Sequence, residues 1–239
     1  MKTWLLLLGI LFAGSALAAD KVRVLLLTGG HGYEREPYLQ IYRDNPDIVL
    51  THLEHTKDTA DAWDRADLAA ADVVVLYDMP RTITEAQKAG FLAMFARGTG
   101  LVVTHHALVS YQGWTDYERI IGGRWVEKPG KGGDPAVKPS GYEHDVDIPV
   151  LVAKPGHPLT AGLRDFTIHD EIYWDFRVGP DITPLLTTTH PKSGNPLAWV
   201  RTEGRSRVAY VLLGHGPSAY GDANYRRLLA NAIRWAAGR

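Results

Sequence analysis

Ten histidines and no cysteine define the chemistry open to this 239-residue chain. Thiolate nucleophiles, disulfides and cysteine metal ligands are excluded, which leaves imidazole and carboxylate as the acid–base groups and metal ligands. Histidine stands at three places where an apolar run gives way to a turn: His31 in Gly29-Gly30-His31-Gly32, the pair His105-His106 after Leu101 to Thr104, and His215 in Leu213-Gly214-His215-Gly216-Pro217. Imidazole is neither the commonest turn residue nor a preferred core residue, so packing alone does not account for the coincidence. Three such histidines and a carboxylate suit Zn²⁺ or a similar divalent ion, with His31, His105, His106 and His215 as the candidate ligands, and equally suit metal-free acid and base catalysis. The segment His169-Asp170-Glu171-Ile172-Tyr173-Trp174 supplies carboxylates. On a strand, Glu171 and Tyr173 would share a face opposite Asp170 and Ile172. Glu171 reads either as a ligand or base or as a salt-bridged surface carboxylate.

Strand side chains alternate in direction, so only one of His105 and His106 is expected to face a crevice, and His105 is the favoured one. His144 follows a Gly/Pro-rich stretch that could carry it to the site. His52-Leu53-Glu54-His55 has a metal-like spacing but lies in a predicted strand, so the helical metalloprotease geometry is missing. His157, His169 and His190 read as surface or structural residues. Trp114, Tyr173, Trp174, Trp199 and Tyr220 stand near the proposed site residues, and aromatic faces beside polar groups suit sugar rings. The glycine turn after the first strand lacks the third glycine of a dinucleotide fingerprint, since Tyr33, Glu34 and Arg35 follow Gly32, so no nicotinamide cofactor is expected.

These residues need a scaffold that brings distant turns together. Near-continuous apolar runs at Lys21 to Thr28, Val73 to Tyr77, Leu101 to Thr104 and Val208 to Leu213 have the character of strands covered on both faces. Helical patterns lie between them. Thr84-Glu85-Ala86-Gln87 has the form of a capping box, followed by Phe91, Leu92 and Phe95 on one face and Gly98 as a stop. Thr115 to Glu118 repeats the device before Gly122. After Asp222, Tyr225, Leu228, Leu229, Ala232, Ile233 and Ala236 recur at helical spacing. The alternation predicts an α/β domain with a mainly parallel sheet, whose ligands bind beyond the carboxyl ends of the strands.

Hydrophobic residues at 45%, charged residues at 22% and a net charge of -1 are ordinary for a globular protein, with no electrostatic footprint for nucleic acid or an anionic membrane. Residues 1–18 join Lys2, an apolar run from Trp4 to Ala13 and the ending Ala16-Leu17-Ala18, the pattern of a cleavable secretory signal. The expectation is a periplasmic or secreted protein with one domain over 19–239, free of the membrane after cleavage and open to oligomerisation. The break in composition at Glu127 to Gly141 reads as a surface insertion or a flap over the site.

The sequence resembles the ThuA-like (trehalose utilisation) proteins from Val22 to Ala237. The carriers include Leu27-Thr28-Gly29-Gly30-His31, Thr104-His105-His106-Ala107, Ile121-Gly122-Gly123-Arg124-Trp125, His157-Pro158-Leu159-Thr160-Ala161-Gly162-Leu163, Asp170-Glu171-Ile172-Tyr173 and Gly214-His215 with Ala219-Tyr220. The resemblance implies a flavodoxin-like three-layer sandwich of the class I glutamine amidotransferase-like superfamily. It puts His105 where that superfamily holds a nucleophilic cysteine and matches the triad histidine to His215, with Pro217 at the glutamate position. Glutamine amide hydrolysis by that route is therefore excluded. Family membership implies a small carbohydrate substrate, a disaccharide or its 3-keto derivative, handled by a hydrolase, lyase or isomerase. In that reading His105, His215 and Glu171 are catalytic, and Trp114, Arg124, Tyr173, Tyr220 and His144 bind substrate. A non-catalytic sugar-binding module and a metal-dependent amidase or deacetylase are the alternatives.

Overall fold

A computed structural model describes residues 21–56, 58–128 and 136–239. The leader at 1–18 and the middle of the 127–141 stretch lie outside the described residues. In chain order the elements are β1 (Val22–Gly29), α1 (Arg35–Arg43), β2 (Ile48–Glu54), α2 (Ala62–Arg65), β3 (Val73–Asp78), α3 (Glu85–Arg97), β4 (Gly100–Thr104), α4 (Thr115–Ile121), β5 (Gly123–Arg124), β6 (Gly141–Val152), β7 (Phe166–Trp174), β8 (Arg177–Val178), β9 (Thr183–Thr188), β10 (Ala198–Glu203), β11 (Ser206–Val211), α5 (Pro217–Gly221) and α6 (Ala223–Ala236). Short 3₁₀ turns cover His105–Val109 and Pro158–Thr160.

Nine strands form one sheet in the order β2-β1-β3-β4-β11-β10-β9-β6-β7. The β2-β1-β3-β4-β11 half is parallel throughout, and every pairing from β11 to β7 is antiparallel. The sheet is thus mixed, which corrects the expectation of a mainly parallel one. Parallel neighbours need a long crossover, usually a helix, and the chain from Gly141 to Val211 contains no α-helix to make one. The alternating strand–helix pattern was legible only in the first half and at the C-terminus, and the reading extended it too far.

β3 and β4 are buried at every residue, as strands covered on both faces must be. On one face α1, α5 and α6 pack together. On the other, Trp63 of α2, Phe91 of α3 and Tyr117 of α4 share an aromatic cluster. The α3 capping box forms as read, with Gln87 N donating to Thr84 and Gly98 closing the helix at φ +81°. Leu92 departs from the reading: it is 39% exposed, since only Phe91 and Phe95 of that trio face the sheet. α4 also departs, because Thr115 is its first helical residue and Trp114, at the cap, offers no side-chain acceptor. α6 buries all six residues read as its apolar stripe, and Asp222 caps it by accepting from the amides of Asn224 and Tyr225. Each fully buried leucine or isoleucine there contributes roughly 1.5–3 kcal/mol.

Candidate active site

The parallel half of the sheet ends at a crevice into which β1, β3, β4 and β11 deliver their following turns. At β1 the chain turns through Gly29 and Gly30, both in the left-handed region. A Cβ on Gly29 would stand 2.7 Å from the His55 carbonyl, and one on Gly30 2.6 Å from the Met79 backbone, so only glycine lets this turn lie flat and bring His31 to the mouth. At β4 the strand ends at Thr104 and His105 takes φ +50°, a left-handed turn into the 3₁₀ segment. This is the sharp strand-to-helix elbow that presents a nucleophile in α/β-hydrolases, here carrying an imidazole. The elbow also overturns the alternation argument: His105 and His106, 0% and 3% exposed, both line the same cavity because neither lies on the strand.

Antiparallel β7 lays Glu171 and Tyr173 on the crevice side, as its alternation required. Its partner β6 shifts register between Glu143 and Val146, with Asp145 at φ +57°. This bulge aims His144 at Glu171, with Nδ1 3.2 Å from Oε1.

Three atoms converge at the centre. His105 Nε2 lies 2.8 Å from Glu171 Oε2, His215 Nδ1 lies 3.1 Å from the same oxygen, and the two imidazole nitrogens are 3.2 Å apart. His105 Nδ1 is 2.6 Å from the Leu212 carbonyl, which can only accept, so that nitrogen carries the proton. In a neutral His105, Nε2 is then a bare lone pair facing a carboxylate. The arrangement is stable only with a proton or a metal ion in the middle. The triangle fits a metal: ligands about 2.0–2.2 Å from an ion and set near right angles are separated by about 3 Å. Two histidines and one carboxylate leave further positions open, as a reactive metal centre requires.

Positioning groups surround this centre. Asp170 is buried behind it, and its carboxylate accepts from the amides of Gly214 at 2.7 Å and His215 at 2.9 Å. The hydroxyls of Tyr77 and Tyr220, 2.6 Å apart, lie against the carbonyls of the same two residues. Tyr173 places its hydroxyl 3.0 Å from His105 Nε2. Burial by itself would raise the Glu171 carboxyl, but hydrogen bonds and charge from His105 and His215 outweigh it and hold the group well below the usual carboxylate range. The bond to Glu171 raises His215 in turn. Burial raises Asp170 against the pull of its amide donors. His31, stacked on His106 with ring centroids 4.6 Å apart, is lowered by burial. His106 is lowered much further, and neither of its ring nitrogens makes a well-formed hydrogen bond.

The cavity of about 250 Å³ is lined by His31, Met79, His105, His106, Val109, Trp125, Tyr142, His144, Glu171 and Tyr173. The structure therefore joins His31, His105, His106, His144, Glu171, Tyr173 and, at the shared carboxylate, His215. It keeps three residues read as substrate contacts away from the cavity. Trp114 packs in the core against Phe91, Tyr111 and Tyr117, Arg124 pairs with Glu118 outside the cavity, and Tyr220 is buried beneath the His215 turn. Of the metal-ligand candidates, His31 and His106 line the cavity but stand outside the three-atom cluster. The reading missed Met79, Trp125 and Tyr142. The last two flank the Gly/Pro-rich stretch, and the hydrogen bonds between Val126 and Ser140 make them neighbours, with no local pattern to reveal it.

A second buried cluster lies under the β1 and β3 turns. Asp78 accepts from Tyr111 at 2.6 Å and takes the imidazole of His55 at 3.1 Å, while the Ala62 amide donates to the other His55 nitrogen. Trp63 donates to the Tyr111 hydroxyl at 2.8 Å, and Ser110 bonds the Asp78 carbonyl. His52, the other histidine of that spacing, contacts Thr28. His157 accepts from the Leu159 amide, His169 pairs with Asp147 and His190 accepts from the Lys192 amide.

The fold is shared with solved structures. A ThuA-like protein from Parabacteroides merdae superposes with a TM-score of 0.78 at 21% identity, covering 91% of this chain and 90% of its own. A ThuA-like protein from Bacteroides uniformis gives 0.63 at 20% identity, covering 94% and 95%. A β-galactosidase from Bacillus circulans gives 0.57 at 13% identity, matching 92% of this chain but 31% of its own. At these identities the likeness concerns the fold alone. No curated protein sequence matches the chain. The model of the family described as ThuA, trehalose utilisation, matches residues 23–236, and the chain belongs to that family.

Proposed function

We propose that the protein is a carbohydrate-active enzyme, a hydrolase, lyase or isomerase, built on a divalent cation of the Zn²⁺ type held by His105, Glu171 and His215. The observation that carries this reading is the convergence of three lone-pair atoms within 3.2 Å of one another at the floor of an open cavity. A cation bound there would polarise a sugar carbonyl or a water molecule. The chain's own groups do the rest. Leu212 fixes the His105 tautomer, Asp170 holds the His215 turn, and Tyr173 beside His105 and His144 beside Glu171 are the groups placed to hydrogen-bond a substrate oxygen or move a proton. The substrate class, a disaccharide or its 3-keto derivative, rests on the family description. The leader read at residues 1–18 supports action outside the cytoplasm.

The test is metal analysis of the purified protein coupled to product detection on oxidised and unoxidised disaccharides. Stoichiometric divalent metal and turnover are expected in the wild type. His105→Ala should fold, lose the metal and lose turnover; unchanged turnover in that variant would remove the centre from the mechanism. Turnover by a metal-free protein would leave the same three residues as a proton-transfer site.

A further inference from the structure

We propose that Trp125 and Tyr142 form a subsite for a single uncharged pyranose ring, stacked on the aromatic faces with its hydroxyl edge turned toward His144 and Glu171. The inference rests on the sugar reading above and goes beyond it by naming the ring-binding surface, its size and the charge it accepts.

The geometry of the cavity wall and its lining carries it. Tyr142 is 55% exposed at the cavity rim, the most exposed large hydrophobic side chain among the described residues. It packs loosely on Trp125, with ring centroids 6.5 Å apart, while Trp125 is set edge-to-face on buried Tyr173 at 5.1 Å and 77°. A fixed indole flanked by an exposed phenol suits a partner with an apolar face. The base of this wall is clamped, because Ser140 N donates to the Val126 carbonyl at 2.8 Å and Val126 N donates to Ser140 Oγ at 2.9 Å.

The rest of the lining is mainly hydrogen-bonding, with His31, Glu171 and His144, the last packed beside Tyr142 at 5.1 Å between ring centroids, and only Met79 and Val109 apolar. An apolar face opposite a polar edge is the pattern of a sugar ring: axial C–H groups on one side, hydroxyls around the rim. No Lys or Arg lines the cavity among the described residues, so the phosphate of a phosphorylated sugar or a nucleotide would find no basic side chain to pair with. The volume, about 250 Å³, lies below the roughly 300 Å³ at which pockets for drug-sized ligands begin. One ring is enclosed, and the second ring of a disaccharide projects past Tyr142 into solvent.

The experiment is calorimetric titration of the full-length mature protein with methyl α-D-glucopyranoside, its galacto and manno epimers, trehalose and glucose 6-phosphate. At least one methyl pyranoside should bind, with trehalose within about threefold of the glucoside and the phosphate ester at least tenfold weaker. Trp125→Ala should weaken binding at least tenfold, Tyr142→Ala several-fold, and Trp125→Phe should retain it within about threefold. Exposed Tyr142 tolerates truncation, so a misfolded Trp125→Ala does not block the test. No binding by any pyranoside, or unchanged affinity in both the Trp125→Ala and Tyr142→Ala variants, would overturn the subsite. The two proposals fail separately. If sugars bind through Trp125 but no product ever forms, the subsite stands without the enzyme; if disaccharide turnover keeps its KM in Trp125→Ala and Tyr142→Ala, the enzyme stands without the subsite.

Discussion

Two buried clusters in this molecule hold histidine beside carboxylate, and they are built on opposite terms. Around Asp78 every buried polar group has a partner: the carboxylate accepts from Tyr111 and pairs with His55, Ser110 donates to the Asp78 carbonyl, and the Ala62 amide donates to His55. Around Glu171, His105 Nε2 and His215 Nδ1 crowd the same oxygen and each other at the floor of an open cavity. Residue type is alike in the two places, but Asp78 and His55 are fully buried while His215 stays partly exposed. A satisfied network stabilises structure, whereas a surplus of lone pairs with access from solvent waits for a cation or a substrate. The satisfied cluster still serves the other: His55 and Met79 press on Gly29 and Gly30, so the turn that carries His31 is moulded on it.

The contrast is broken most directly at Glu171. Glu171→Gln removes the charge but keeps the shape, and we expect divalent-metal content to fall to background and turnover to drop by about a thousandfold, a loss of about 4 kcal/mol of transition-state stabilisation, with the fold retained and the thermal transition lowered only by the lost metal and ion pair. Metal analysis and melting of one preparation check both halves. Asp78→Ala should do the reverse: unfolding titration should show a loss of about 3–5 kcal/mol as His55 and Tyr111 lose their shared partner, while metal content per folded molecule stays at the wild-type level.

Asp170→Asn sharpens the comparison at an intermediate scale. The carboxamide opposes its own N–H groups to one of the amides of Gly214 and His215, so the His215 turn loosens. Metal affinity is expected to fall by about 10–100-fold, the usual effect of disturbing a group that orients a ligand. A competition titration with a chelator reads it, and wild-type affinity would show that the turn is held by Tyr77 and Tyr220 alone.

The smallest effect is a pH dependence in metal-free protein. His215 is raised, so its contribution to stability is fully present below the ordinary histidine pKa of about 6.5 and is lost as pH rises through the raised value. Glu171 is lowered, so its contribution is present above the ordinary carboxylate range and is lost only in stronger acid. In metal-free protein the Glu171–His215 pair should therefore contribute most in the interval between them and lose that contribution toward alkaline pH, whereas buried His31 and His106, both lowered, act against it as pH falls below the ordinary histidine value. Thermal melting across pH tests this, and His215→Gln should remove the alkaline limb.

Much of the site was legible because its signals are local. An apolar run ending in glycine and histidine marks a strand end, and alternation on β7 put Glu171 and Tyr173 on one face before any partner was known. The failures were failures of range. Trp114 and Tyr220 stand near site residues in the chain and so read as substrate contacts, yet Trp114 turns into the α3–α4 core and Tyr220 lies under the His215 turn. The His105-His106 alternation failed on one dihedral angle, since a left-handed residue at the strand end redirects both side chains.

The amino-acid sequence on its own determined which chemistry is possible: no thiol, abundant imidazole, caps and apolar runs that make the helices and strands, and glycines where the turns pass close to other backbone. Such properties depend on residue type and on the period of one segment. Tertiary structure alone decided that His105 and His215, 110 positions apart, share one oxygen of Glu171, and that Trp125 and Tyr142 face each other across the base of an insertion. Those meetings are set by strand order and register, and register depends on how whole faces of the sheet bury together, a property that no single segment carries.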